Sequence, residues 1–369
     1  MASSFGSVFC GTQAVARYRE GAWSPAVLEP LAPLALHPGA HGLHYGSSCF
    51  EGLKAYRHAD GSVHVFRLDR HVARMQASAD VLCLPKPGTE QLTEMVLSVV
   101  DAVRDEIPAL PGALYIRPLL LGTLESVGAA GSPSTDAMLV VMTCPVGDYF
   151  AGGIRPLRIA LEERRGRAAP GFGCVKTGSN YAAALRPVLH AKKAWKADQV
   201  LFCPDGDVQE TGAANFLLIQ EGAVHTKPLD DTILHGITRA SVLELAPSLG
   251  LRVDESPLTV DELMSRSTDA EAALSGTAAV LTPVGTLIRG GYDHAPCASR
   301  ASPPAALQAA RDRAEPARPH CGGGRGVRRL SCDQQHGPVR RRNRRHAGRR
   351  GPSVSRGFAR VRDRGQGAL

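Results

Sequence analysis

The feature that most limits what this chain can fold into is the point at which its core-forming residues stop. The last 79 of its 369 residues hold 18 Arg but no Lys, Ile, Met, Thr or Trp, and their only aromatic residues are Tyr292 and Phe358. Such a stretch buries too little apolar surface to offset the entropy of ordering it. A folded core is therefore expected from residues 1–290. The charge divides at the same place. Residues 1–290 carry 25 Lys/Arg against 30 Asp/Glu, a net of −5, whereas residues 291–369 carry +13. The overall +8 is thus a property of the tail, and any argument from basicity to nucleic acid applies to the tail alone.

No run of 18 uncharged apolar residues occurs, so no membrane span is expected. The first twenty residues lack a basic segment followed by an apolar one, so no secretory signal is expected. Nine Cys are scattered without a CxxC pair. That spacing reads as reduced thiols in a cytoplasmic protein, with neither a disulfide framework nor a metal site.

Strands and helices mix along the body. Val63–Phe66 reads as a strand and Leu68–Val81 as a helix with Val72, Met75 and Ala79 on one face. Glu94–Val103 reads as a second helix with Thr93 as its N-cap. Ala113–Leu120 and Ala137–Thr143 read as strands, the latter apolar enough to be buried on both faces. Pro145–Gly153, rich in Gly, reads as a connection between domains. Beyond it, Leu157–Leu161, Gln199–Cys203, Phe216–Ile219 and Ala272–Ala278 are strand-like. Tyr181–Lys196 and Thr238–Leu249 are helical, the latter closed by Gly250.

One lysine stands out. Lys176 lies in Gly173-Cys174-Val175-Lys176-Thr177-Gly178-Ser179-Asn180-Tyr181, between small residues and just ahead of a helix. A lysine that forms a Schiff base needs room to approach a carbonyl carbon and a setting that lets it lose its proton. Glu210 lies among small residues in Glu210-Thr211-Gly212-Ala213-Ala214-Asn215. A pyridoxal ring needs such a carboxylate at its nitrogen to stay a good electron sink. Leu234-His235-Gly236-Ile237-Thr238-Arg239 opens a helix whose N-terminus is a ready anion site, and Ser275-Gly276-Thr277-Ala278 is a second Gly-containing turn. Each signal alone also fits an ordinary surface lysine, loop-end acid or N-cap.

Taken together and in order, these segments resemble the branched-chain aminotransferases among the fold-type IV pyridoxal-phosphate enzymes. The matching blocks are Leu43–Tyr56, which contains Tyr45, Phe50, Glu51 and Gly52, then Leu114–Pro118, Val175–Tyr181, Glu210–Phe216, Leu234–Arg239 and Leu274–Ala279. The resemblance covers about residues 20 to 290. It implies an α/β (α+β) fold of two domains, shared with D-amino-acid aminotransferases. A smaller N-terminal α/β domain would span 1–145, an interdomain loop 146–155, and a larger C-terminal cofactor-binding domain 156–290, cut short, with the Arg-rich tail at 291–369.

The same resemblance implies roles. Lys176 is the lysine that holds pyridoxal 5′-phosphate and moves the α-proton. Glu210 partners the ring nitrogen, and Tyr181 contacts the ring hydroxyl oxygen. Arg74, Ile237, Thr238 and Thr277 take the phosphate. On the substrate side, Tyr45 and Phe50 wall an apolar pocket, while Tyr115, Thr277 and Ala278 suit an α-carboxylate. Arg117 suits the distal carboxylate of glutamate. The implied reaction transfers an amino group between leucine, isoleucine or valine and 2-oxoglutarate, with small-molecule substrates, a cytoplasmic homodimer and no membrane or nucleic-acid partner. D-amino-acid transaminase and aminodeoxychorismate lyase share the fold and the lysine, but Phe50-Glu51-Gly52 and Tyr115-x-Arg117 favour the branched-chain reading.

The resemblance persists through Thr282–Ile288 and ends near Gly291. The replacement of Lys, Ile, Met and Thr by Arg, Ala, Gly, Pro and Ser is what GC-rich DNA gives when read out of frame. We read the tail this way in preference to a genuine basic tail that binds nucleic acid or an acidic partner, because its Arg clusters have almost no interleaved aromatics and no Lys, and it stands where structural sequence is expected.

Overall fold

Short apolar runs broken by Gly- and Pro-containing turns make this chain a protein of strands, with helices laid over them. The computed structural model describes residues 5–147, 155–278, 280–294 and 358–360. The first sheet holds β1 (Thr12–Arg19), β2 (Ala22–Trp23), β3 (Val27–Pro30), β4 (Ser48–Phe50), β5 (Leu53–Arg57), β6 (Val63–Phe66), β7 (Ala113–Gly122) and β8 (Ala137–Val146). Its central path runs β6-β5-β7-β8-β1-β2, with every pairing antiparallel. The helices of this half are α1 (His41–Tyr45), α2 (Leu68–Val81) and α3 (Thr89–Ala102).

Alternation along β7 sorts its side chains. Leu114 and Ile116 face α2 and α3, where Val72, Met75, Met95 and Val99 close the core. Tyr115 and Arg117 therefore face the opposite side, beside Cys144 and Met142 of β8 across the ladder. The functional side chains of the Tyr-x-Arg motif thus share the sheet face that the helices leave uncovered.

β6 and α2 occupy the residues that the spacing predicts. α3 does not: it begins at Thr89 with Gly88 as N-cap, so Thr93 lies inside the helix and caps nothing. Pro87 and Gly88 set the true start, ahead of the apolar periodicity that marks the buried face.

The second sheet holds β9 (Leu157–Glu162), β10 (Gln199–Phe202), β11 (Asn215–Gln220), β12 (Ala223–His225), β13 (Arg252–Asp254), β14 (Glu271–Gly276), β15 (Val280–Arg289) and β16 (Tyr292–His294). Its path is β10-β9-β15-β14-β11-β12-β13, with β16 on β15. It mixes parallel pairs, such as β9 with β10 and β15, with antiparallel ones, such as β11 with β14. The helices here are α4 (Gly178–Trp195), α5 (Ile237–Leu245) and α6 (Val260–Arg266).

Three predicted boundaries move. α4 starts at Gly178, which brings Tyr181 into its first turn. α5 ends at Leu245 and tightens into a 3-10 turn over Ala246–Leu249, because Pro247 has no N–H for the α-helical ladder. β14 stops at Gly276, which places Thr277 and Ala278 in the turn before β15.

The unstructured tail expected from residue 291 is corrected at two short strands. Tyr292–His294 pairs with β15, and β17 (Phe358–Arg360) pairs antiparallel with β6. Residues 295–357 and 361–369 lie outside the described residues. So do Asp148–Gly153 of the expected connection, while Pro145 and Val146 complete β8. Among the described residues, no helix is long and apolar enough to cross a membrane.

Backbone and side-chain bonds tie the two halves together. The Phe50 N–H donates to the Lys176 carbonyl at 3.0 Å, and the Lys54 ammonium donates to the Ala278 carbonyl at 2.9 Å. The core beneath the second sheet includes Leu218, fully buried on β11. Leu218→Ala is expected to lower the unfolding free energy by about 2–5 kcal/mol in urea denaturation, the range for emptying a close-packed leucine site. A loss well under about 1 kcal/mol would show that this core is not close-packed.

Candidate active site

Lys176 precedes α4 by two residues, and its peptide is gripped from both sides by the first half of the chain. Its N–H donates to Ser78 Oγ of α2 at 3.1 Å, while its carbonyl takes the Phe50 N–H. Its Nζ donates to the Tyr181 hydroxyl at 2.9 Å. The same Nζ lies 5.1 Å from the Phe50 ring centroid. Lys176 and Tyr181 meet because the helix starts between them and turns the phenol back over the lysine.

Glu210 is buried at the end of an extended segment against β10, opposite Asn215. Its Oε1 accepts the Leu234 N–H at 2.7 Å, and its Oε2 accepts from Asn215 Nδ2 at 2.8 Å. Arg167 Nε stands 2.7 Å from Oε1 as an ion pair, with its N–H not aimed along a hydrogen bond. Burial pushes the Glu210 carboxyl up to about 7, opposed by the Arg167 charge and the Leu234 N–H.

Between Lys176 and Glu210 runs a groove lined by Arg74, Ile237, Thr238, Ser275 and Thr277. Gly236 caps α5 with no side chain, which leaves the first-turn N–H groups facing the groove. A Cβ on Gly236 would fall 1.9 Å from Asn215 Oδ1, so glycine is required there to keep Asn215 on Glu210. Ser275 Oγ is buried without a hydrogen-bond partner. Arg74 is fixed by Glu51, with Nε to Oε1 at 2.7 Å and Nη2 to Oε2 at 2.8 Å, and its Nη1 donates to the His235 carbonyl at 3.0 Å.

The other side of Phe50 opens on a cavity of about 310 Å³, lined by Phe5, Phe9, Tyr115, Arg117 and Met142 among others. The Arg117 guanidinium stacks 4.6 Å from the Phe50 centroid and donates from Nη2 to the Tyr115 hydroxyl at 2.8 Å. Arg117 Nε is buried and unpartnered. A Cβ on Gly52 would sit 2.1 Å from the Tyr115 hydroxyl oxygen, so Gly52 is what lets that phenol reach the backbone. Phe50 is thus the partition between the lysine and the cavity.

The structure gathers Arg74, Lys176, Tyr181, Glu210, Ile237, Thr238 and Thr277 around the groove, with Phe50, Tyr115 and Arg117 beside it. Ala278 lies in the same turn as Thr277, where its carbonyl takes the Lys54 ammonium. Tyr45 lines neither the groove nor the cavity. At the end of α1, its ring packs on His41 and its hydroxyl donates to the Val127 carbonyl. Sequence reasoning missed Ser78, Arg167 and Asn215, which act on the site through Lys176 or Glu210, and the N-terminal Phe5 and Phe9. Arg167 sits in a run of surface-like arginines, and Ser78 in an ordinary helix, so neither position carries a signal of its own. Asn215 lay within a matching block and could have been picked out by its pairing opposite Glu210.

The donor set fits pyridoxal phosphate. A lysine amine next to a phenol, a buried carboxylate and an anion cup made of an arginine and an uncapped helix start surround one groove, and the cup contains a buried hydroxyl with no hydrogen-bond partner among the described residues.

Comparison with known proteins agrees. The family model for class IV amino-transferases matches residues 48–287. A chloroplastic branched-chain-amino-acid aminotransferase 5 from Arabidopsis thaliana is 39% identical over 273 residues, 73% of this chain, and the chain spans 65% of that relative's length. A probable branched-chain-amino-acid aminotransferase from Streptomyces coelicolor is 38% identical over 298 residues, covering 78% of this chain and 81% of the relative. The crystal structure of a T.th. branched-chain amino acid aminotransferase with pyridoxamine 5′-phosphate superposes with a TM-score of 0.66 at 29% identity, covering 83% of this chain and 96% of that one. The fold is therefore the expected mixed α/β fold-type IV architecture, and the chain belongs to the class IV aminotransferases, among the branched-chain-amino-acid aminotransferases.

Proposed function

We propose that this chain transfers the amino group between branched-chain L-amino acids and 2-oxoglutarate, with pyridoxal 5′-phosphate held at Lys176. The observation that carries the reading is the shared position of Phe50, whose ring lies between the Lys176 amine and an apolar cavity that contains one arginine. Bound pyridoxal phosphate supplies an electron sink for the bonds at the substrate's α-carbon. The chain's own residues do the rest. Lys176 Nζ takes the α-proton and returns it, acting as general base and then general acid. Tyr181 accepts a hydrogen bond from that amine and keeps it in the groove. Glu210 holds the ring nitrogen's proton, with Arg167 and Asn215 holding Glu210. Arg74, the N–H groups of Ile237 and Thr238, and Thr277 take the phosphate.

Substrate recognition is divided. A methyl-branched side chain enters the cavity beside Phe50, gaining about 0.8 kcal/mol per buried CH₂. Tyr115 and the turn at Thr277 and Ala278 receive the α-carboxylate. The unpartnered Arg117 Nε receives the distal carboxylate of glutamate or 2-oxoglutarate, so one cavity serves both substrates. Tyr45, exposed and outside the lining of this cavity, enters the same reading as part of an assembled homodimer. We read the chain as two domains, 1–145 and 156–290 joined by 146–155, working in the cytoplasm as that homodimer. Support comes from the two separate sheets, each with its own core.

Lys176→Ala is expected to abolish transamination of leucine, isoleucine and valine in a coupled glutamate assay, and an undiminished rate would remove Lys176 from the mechanism. Arg117→Leu is expected to raise KM for 2-oxoglutarate about tenfold to hundredfold, the worth of a charged hydrogen bond, with little change for leucine. Equal effects on both substrates would make Arg117 a structural residue. The raised carboxyl of Glu210 has a signed consequence. Its folded-state proton affinity exceeds the ordinary value of 4.5, so it stabilises the cofactor-free chain below that pH and loses the contribution as pH rises to about 7. Between urea denaturation at about pH 5 and at about pH 8, the wild type should lose stability relative to Glu210→Gln. A difference independent of pH would contradict that environment.

A further inference from the structure

Phe50-Glu51-Gly52 places a carboxylate between two residues whose functions are clear, and the carboxylate itself touches neither groove nor cavity. Glu51 is 1% exposed. An isolated buried carboxylate is costly, so its partners define what it does. Two of them come from one face of α2, at positions i and i+3: His71 Nδ1 lies 2.7 Å from Oε2, and Arg74 grips both oxygens. The Gly52 N–H is a third partner, donating to Oε2 at 3.2 Å. Burial favours the neutral form of His71, which therefore donates a hydrogen bond without adding charge. Burial also works against the Glu51 charge, but Arg74 outweighs it and holds that carboxyl well below the usual range.

The hydrogen-bond count on Arg74 is informative. A guanidinium has five N–H groups in a fixed fork. Glu51 takes the Nε hydrogen and one from Nη2, and the His235 carbonyl takes one from Nη1. One hydrogen remains on each terminal nitrogen. Arg74 also lines the groove that runs to Thr277 and the start of α5. Guanidinium N–H groups of this kind suit phosphate oxygens.

We propose that Glu51 is a positioning residue for phosphate recognition: by holding the Nε–Nη2 edge of Arg74 it keeps the remaining N–H groups of that guanidinium turned to the groove. The inference rests on the reading of the groove as a pyridoxal-phosphate site, and it adds a residue that acts through Arg74. A merely structural Glu51 would, on removal, weaken the fold and all ligands alike. A positioning Glu51 acts selectively on ligands that carry a phosphate.

The test is a titration of the cofactor-free chain with pyridoxal phosphate and, separately, with pyridoxal, which lacks the phosphate, followed by absorbance and accompanied by thermal unfolding. The wild type is expected to prefer pyridoxal phosphate strongly. Glu51→Gln, which keeps the shape but not the charge, is expected to weaken pyridoxal phosphate by about tenfold to hundredfold, the scale on which outer partners support a binding site, and pyridoxal by far less. Glu51→Asp, which keeps the charge but pulls the fork back by one methylene, is expected to fall between the two and decides the matter if the Gln variant does not fold. An unchanged preference for the phosphate in a folded variant overturns the proposal for Glu51. A wild type that binds neither compound overturns instead the cofactor reading on which it rests.

Discussion

The position of Lys176 depends on two hydrogen bonds to its own peptide. Ser78 accepts its N–H and Phe50 donates to its carbonyl, so residues of the first sheet and of α2 set the path of a lysine that belongs to the second half of the chain. Everything chemical about the groove follows from that registration. With the peptide fixed, the start of α4 places Tyr181 against the amine, and the Phe50 ring becomes a wall with the amine on one side and Arg117 on the other. The groove and the cavity are thereby kept in one geometry, although their residues come from different sheets.

Charge in the groove is arranged in pairs. Arg74 is paired with Glu51, and Arg167 with Glu210, each acid buried and each held by further hydrogen bonds. The two acids differ in outcome. Glu51 sits against a bidentate arginine and stays ionised, whereas Glu210, with an off-line Arg167, is raised towards neutrality by burial. The two buried acids thus differ because of their partners: a bidentate arginine outweighs burial at Glu51, and burial prevails at Glu210.

Much of this was legible from residue order. The α2 helix and β6 follow directly from apolar spacing, and the Lys176, Glu210 and Gly236-Ile237-Thr238 segments converge as their chemistry requires. What was not legible depended on three-dimensional partners. Asn215 and Arg167 show their role only when seen on Glu210, and Ser78 only when seen on the Lys176 peptide. The early start of α3 was hidden because its first turn is polar, and the 3-10 end of α5 because Pro247 lies within an otherwise helical pattern. The family match ends at residue 287, in β15, and the Arg-rich sequence follows from about residue 291. One short piece of the tail, β17, lies on β6.

The proposed role of Lys176, set by Ser78 and Phe50, is to hold pyridoxal phosphate and move the α-proton while amino groups pass between branched-chain substrates and 2-oxoglutarate. The most direct measurement is the absorbance spectrum of the purified chain with pyridoxal phosphate, recorded before and after adding leucine and then 2-oxoglutarate. The predicted result is a lysine-bound cofactor spectrum that leucine discharges, with release of the 2-oxo acid, and that 2-oxoglutarate restores. A spectrum that stays that of free pyridoxal phosphate, unmoved by either substrate, would contradict it.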